Sequence, residues 1–158
     1  MIKVKLLLNT VILILLSSCV NDNANPQSSK GEQQPIIGTW KLISGTIIQD
    51  GDTTVTDYTT DQEMIKIINA THFAFLRHDL NAPEDTSKLF VAGGGTYTIE
   101  GNMYTEHLEY FTLREWEGNH FELTFTIEGD TLITRGVEEV ADLNVKYYNI
   151  EKYYRLSR

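Results

Sequence analysis

The chain has 158 residues, with 22 acidic against 13 basic side chains and a formal charge of −9 at pH 7. That length suits a single folded core, and the acidic balance excludes nucleic acid or an anionic membrane surface as a partner of the folded part. A lone cysteine, Cys19, excludes an internal disulfide.

Lys3 and Lys5 give the chain a positive start, and an apolar run from Leu6 to Leu16 follows, broken only by Asn9 and Thr10. Ser17-Ser18 then lead into Cys19. Charge, a short apolar stretch and small residues before a cleavage point are the order of a secretory signal. The run is about half of the roughly 20 residues needed to cross a bilayer. With cysteine in the cleavage position, Leu16-Ser17-Ser18-Cys19 resembles a bacterial lipoprotein signal. The resemblance implies removal of residues 1–18, lipid on Cys19, and anchoring to a membrane of a Gram-negative cell envelope. Loss of Lys3 and Lys5 takes the charge from −9 to −11. Residues 19–35 are nearly devoid of apolar side chains and cannot bury a core. They read as a flexible tether with an average reach of roughly 20 Å. Only Asp22 places an acid soon after the cysteine, so the periplasmic and cell-surface sides both stay open.

From residue 36 to the end the pattern is β throughout. Short segments rich in Thr, Tyr, Ile, Val and Phe alternate with turn signals. Strands are expected over Thr39–Ile48, Met64–Ile68, Phe73–Arg77, Leu89–Ala92, Thr96–Glu100, Met103–Phe111, Phe121–Glu128, Thr131–Val137 and Lys146–Leu156. A helical turn is possible at Thr60. About eight to ten antiparallel strands with hairpin connections suggest a sandwich or an up-and-down barrel.

The turns assign faces. A two-residue loop at Gly101-Asn102 pairs Glu100 with Met103 and Tyr97 with Glu106. Side chains alternate with period two, so Tyr97, Ile99, Tyr104, Glu106, Leu108 and Tyr110 share an aromatic, inward face. Thr96, Thr98, Thr105, His107 and Glu109 face out. The same count at Gly129-Asp130 turns Phe121, Leu123, Phe125, Ile127, Leu132 and Thr134 inward.

Ile37-Gly38-Thr39-Trp40-Lys41-Leu42 opens this region and resembles the Gly-x-Trp signature of the lipocalin, or calycin, barrels. The resemblance implies that Trp40 closes a barrel floor and that an arginine near the end of the last strand packs on it. Arg155, in Glu151-Lys152-Tyr153-Tyr154-Arg155, is the match. The run Gly93-Gly94-Gly95-Thr96-Tyr97-Thr98-Ile99-Glu100-Gly101-Asn102-Met103-Tyr104-Thr105-Glu106-His107-Leu108-Glu109-Tyr110 is similar to an uncharacterised lipocalin-like family of anchored Gram-negative lipoproteins. Tyr153-Tyr154 departs from that family, where a tryptophan is expected. The resemblance spans nearly all of 36–158 and implies an up-and-down barrel, but no activity.

Glu106 is the most pointed residue of the inner wall, because a buried acid needs a partner. That partner is a ligand, or an internal group such as a tyrosine hydroxyl or Arg77. Tyr97, Tyr104 and Tyr110 are candidate ligand contacts or plain core, Arg77 is a further candidate ligand contact, and Phe73, Phe75 and Phe125 are expected on the opposite wall. An inward acid favours ligands with a hydrogen-bond donor or a positive charge. Gly93–Gly95 lacks the following Lys-Ser/Thr and helix of a phosphate loop, and reads as a bend or bulge.

No catalytic set is legible. No serine sits in a Gly-x-Ser-x-Gly turn, and Glu106 and Glu109 point to opposite faces, unlike a glycosidase pair. His72 and His78 are roughly 20 Å apart at strand rise, too far to share a metal. A haem cofactor would need an inward histidine that the face count does not supply. Two function classes remain: an anchored barrel that binds a small amphipathic or hydrophobic ligand, and a structural lipoprotein with a closed barrel that docks an envelope complex. Interior volume separates them.

Overall fold

The computed structural model describes residues 35–81 and 88–157. The proposed signal, residues 1–18, and the proposed tether, residues 19–35, lie outside the described residues except for Pro35. Nine strands form one antiparallel sheet: β1 (Gly38–Gln49), β2 (Asp52–Asp57), β3 (Gln62–Ile68), β4 (His72–Asp79), β5 (Phe90–Glu100), β6 (Met103–Phe111), β7 (His120–Glu128), β8 (Thr131–Val140) and β9 (Val145–Ser157). From β3 to β9 each strand pairs with its successor, and β9 returns to β1. β2 and β3 lie along the same edge of β1, β2 against Ser44–Gln49 and β3 against Gly38–Lys41. They make one interrupted stave, so the sheet closes as an eight-stranded up-and-down barrel. This is the all-β architecture that the strand pattern and the resemblance imply. Closure leaves each of β1 and β3–β9 with a ladder on both sides over part of its length, so no strand among them is an edge strand.

The two hairpin registers read from sequence hold. Glu100 opposes Met103, and Tyr97 opposes Glu106. Glu128 opposes Thr131, and Ile127 opposes Leu132. Gly101 and Gly129 supply positive φ at the first turn position, which a two-residue hairpin of the II′ kind requires.

Three local expectations fail. β2 was not anticipated. It is exposed almost throughout, so it has no buried face to produce an alternating pattern, and its ladder to β1 holds it. No helical turn forms near Thr60. Residues 58–61 bend instead, with the Asp57 carboxylate accepting from the Thr59 N–H at 2.8 Å and hydroxyl at 2.6 Å. Gly93–Gly95 does not separate two strands but lies inside β5. There a Cβ on Gly94 would stand 2.5 Å from the Phe73 carbonyl oxygen, and one on Gly95 would collide with the His107 carbonyl. The glycines let three backbones close up at a bulge. Gly94 opposes Tyr110 and Gly95 opposes Leu108, so Glu109 is the extra residue. That one residue inverts the alternation beyond it. Tyr110, expected inside, is 68% exposed, and Phe111 turns inward in its place.

The barrel has unlike ends. At one, the β3–β4, β5–β6 and β7–β8 turns are short, and the interior is filled. Trp40, Tyr104, Tyr153, Ile68 and Leu132 are fully buried there. The Trp40 indole N–H donates to the Ile36 carbonyl at 2.8 Å. The Arg155 guanidinium lies 3.8 Å from the Trp40 ring centroid and donates to the carbonyls of Ile37 at 2.9 Å and Pro35 at 2.7 Å. Tyr153 points inward and Tyr154 outward. The longer β6–β7 and β8–β9 connections lie at the other end.

Candidate ligand cavity

Above the filled floor sits a charged layer. Alternation on β3 turns Met64, Lys66 and Ile68 inward, and Lys66 is 3% exposed. Its ammonium donates to Glu106 at 2.8 Å and lies 3.7 Å from the Glu151 carboxylate. The Phe73 and Tyr153 ring centroids stand 5.8 Å and 5.4 Å from it. Burial alone would lower the Lys66 pKa, but Glu106 and Glu151 outweigh it and hold the ammonium charged well above its ordinary value. Tyr153 donates to Glu151. Burial first, then the charge of Glu106, raises the Tyr104 pKa. The Tyr104 hydroxyl has no well-formed hydrogen bond among the described residues.

Beyond this layer the barrel opens into a cavity of about 340 Å³. In an eight-strand circuit β9 lies four places from β5 in either direction, so the two strands face each other. The β8–β9 side is polar, with Glu138, Tyr147, Asn149 and Glu151. The Glu138 carboxylate accepts from the Tyr147 hydroxyl and the Asn149 side-chain amide, both at 2.7 Å. Burial, reinforced by the charge of Glu151, pushes the Glu138 pKa up to about 6. Burial first, then the Glu138 carboxylate, raises the Tyr147 pKa.

Away from this polar side the lining is apolar, built from Phe75, Leu108, Phe111, Phe121, Leu123 and Trp116. Its rings run in series, Phe75 to Phe111 at 5.7 Å, Phe111 to Trp116 at 5.8 Å and Trp116 to Phe121 at 6.2 Å between centroids. Trp116 ends a 3₁₀ turn, Arg114–Trp116. Glu117 pins this turn by accepting from the Phe111 N–H at 3.0 Å and from Arg114 at 2.7 Å. Arg77 completes the lining. It donates to Gln62 at 2.7 Å and lies 5.2 Å from the Tyr58 ring centroid.

Of the residues singled out from sequence, Glu106, Phe75 and Arg77 line this cavity. Phe73, Tyr97, Tyr104 and Phe125 pack in the core cluster instead, and Tyr97 donates to the Asn69 carbonyl at 2.6 Å. Tyr110 is outside. The internal partner of Glu106 is Lys66, not Arg77. Phe73, Phe75 and Phe125 do not face the β5–β6 wall, because β4 and β7 flank it. His107 sits on the outer face opposite His120, the rings 6.3 Å apart.

Lys66, Glu138, Tyr147, Asn149 and Glu151 escaped the sequence reading. A signal existed for two of them. Lys66 lies two residues from both Met64 and Ile68 in a strand already recognised. Glu138 continues the inward series Leu132, Thr134, Gly136 one step past the expected strand end. No face was assigned to the last strand, so its three polar lining residues had none.

The cavity offers an apolar aromatic part, a part lined by acceptors and hydroxyls, and a charged base. Among the described residues no three His, Cys, Asp or Glu side chains converge as a metal site. No family model, curated protein or solved structure matches this chain.

Proposed function

We propose that this protein is a lipid-anchored lipoprotein of the Gram-negative cell envelope whose lipocalin-like barrel binds a small amphipathic or hydrophobic molecule. The observation that carries the binding half is the two-walled cavity of about 340 Å³. Its volume falls within the few hundred cubic ångströms usual for small-molecule sites, and so does its make-up, apolar with a few convergent polar groups. A barrel packed shut, acting only as a docking module, would leave no such space, so the binding reading is preferred to the structural one. The Arg155–Trp40 stack at the closed end supports kinship with the lipocalin-like barrels. The anchoring half rests on Leu16-Ser17-Ser18-Cys19.

Native mass spectrometry of the protein purified from its own source tests the binding half. A non-covalent small molecule should co-purify, and the variant Leu108→Trp, which fills the cavity, should lose it. An empty wild-type barrel that also takes up no amphipathic dye in titration would refute the binding reading.

A further inference from the structure

We infer that the cavity takes an amphipathic amine, its ammonium paired with Glu138 and its apolar body against Phe75, Phe111 and Trp116. This rests on the ligand-binding reading and narrows it to one chemical class. Every charged side chain in the lining is engaged except in one respect. Lys66 is held between Glu106 and Glu151. Arg77 is held by Gln62 and stacked near Tyr58. Glu138 receives only neutral donors, Tyr147 and Asn149, and no cation pairs with it among the described residues.

A carboxylate offers about four lone-pair sites, and two of those on Glu138 are taken. The lining holds three carboxylates, Glu106, Glu138 and Glu151, against two cations, Lys66 and Arg77. An anionic ligand would therefore add to an existing excess of negative charge. An ammonium would cancel it, fill the open acceptor sites and lie near the Tyr147 hydroxyl. The groups that face Glu138 are Tyr147, Asn149 and Glu151 from β9, Glu106 from β6, and Tyr58, which carries Arg77 at its ring. None of those in contact with its carboxylate is a cation, and the ammonium of Lys66 is already committed below. A carboxylate whose pKa is raised by burial and by the neighbouring charge of Glu151, with no cation paired to it among the described residues, is the expected state of such a site before its ligand arrives.

Calorimetric titration of the full-length protein with three probes of one shape tests this: 2-naphthylethylamine, 2-naphthylethanol and 2-naphthylacetate. Near pH 7.5 the amine should bind about tenfold or more tightly than the alcohol, the gain typical of a close charge pair, and the acetate most weakly. Glu138→Gln should bring the amine down to the alcohol and leave the alcohol unchanged. Should that variant fold poorly, the wild type near pH 5 serves the same purpose, because protonated Glu138 should erase the amine's advantage. Equal binding of amine and alcohol overturns the inference while the ligand-binding reading survives. Preference for the acetate overturns it and points to Arg77. No binding by any probe overturns both.

Discussion

Lys66 and Glu106 are buried together, 40 residues apart in sequence and 2.8 Å apart in space. Removing one partner of such a pair strands the other, which typically costs about 3–5 kcal/mol. Lys66→Met should show a loss of that order in urea unfolding at neutral pH, because Glu106 and Glu151 are left without a counter-charge. The loss should shrink as pH falls, since stranded carboxylates take up protons. A loss that does not change with pH would mean that the lysine stem, not its charge, is what matters. Glu138 gives a second pH signature. Its pKa is pushed up to about 6 from the ordinary 4.5, so folding favours its protonated form. Its contribution is fully present below about pH 4.5 and is lost as pH rises through 6. The penalty at neutral pH is up to about 2 kcal/mol. Glu138→Gln should therefore stabilise the protein near pH 7.5 and change little near pH 4, as thermal melts at the two pH values will show.

At the scale of elements, β1 and β9 are joined twice, by their ladder and by the Trp40–Arg155 stack. Trp40→Ala should cost about 3–5 kcal/mol, as for other buried large aromatics, a large share of the roughly 5–15 kcal/mol typical of a domain. Arg155→Ala should cost less, through the lost stack and the two carbonyls it serves. The double variant should cost less than the sum, because the two share one contact. Additive losses in that cycle would show that Arg155 does not stabilise the chain through Trp40. The β5 glycines act at the same scale. They permit the bulge at Glu109, and the bulge brings Phe111 to the cavity wall in place of Tyr110.

For the whole molecule, closing the sheet has two consequences. It removes most unpaired edges, and it sets β8–β9 opposite β4–β5, so the polar wall faces the side that carries Phe75. Short turns and a filled interior mark one end, and the cavity lies above it. The proposed anchor is separable from this. Residues 19–35 have little to bury, so Cys19→Ser should leave the barrel folded while releasing the protein from membranes. Fractionation after a high-salt wash checks it, and a variant still in the membrane fraction would defeat the lipid-anchor proposal.

The sequence by itself determined the strand class, two hairpin registers and the inward position of Glu106. All three follow from local rules, period-two alternation and the geometry of two-residue turns. The Gly38-Thr39-Trp40 opening and Arg155 likewise pointed to the closed end before any coordinates. The tertiary structure alone decided which groups meet. Lys66 reaches Glu106 from β3, a strand not adjacent to β6, and Glu138 reaches Tyr147 and Asn149 only once β8 and β9 pair. The bulge at Glu109 is an event between strands, so no count along one strand could foresee that Tyr110 leaves the interior. β2 stayed hidden because a strand exposed on both faces carries no alternation. Alternation says which way a side chain points, but what it points at depends on the closure of the sheet, which brings together strands distant in the chain.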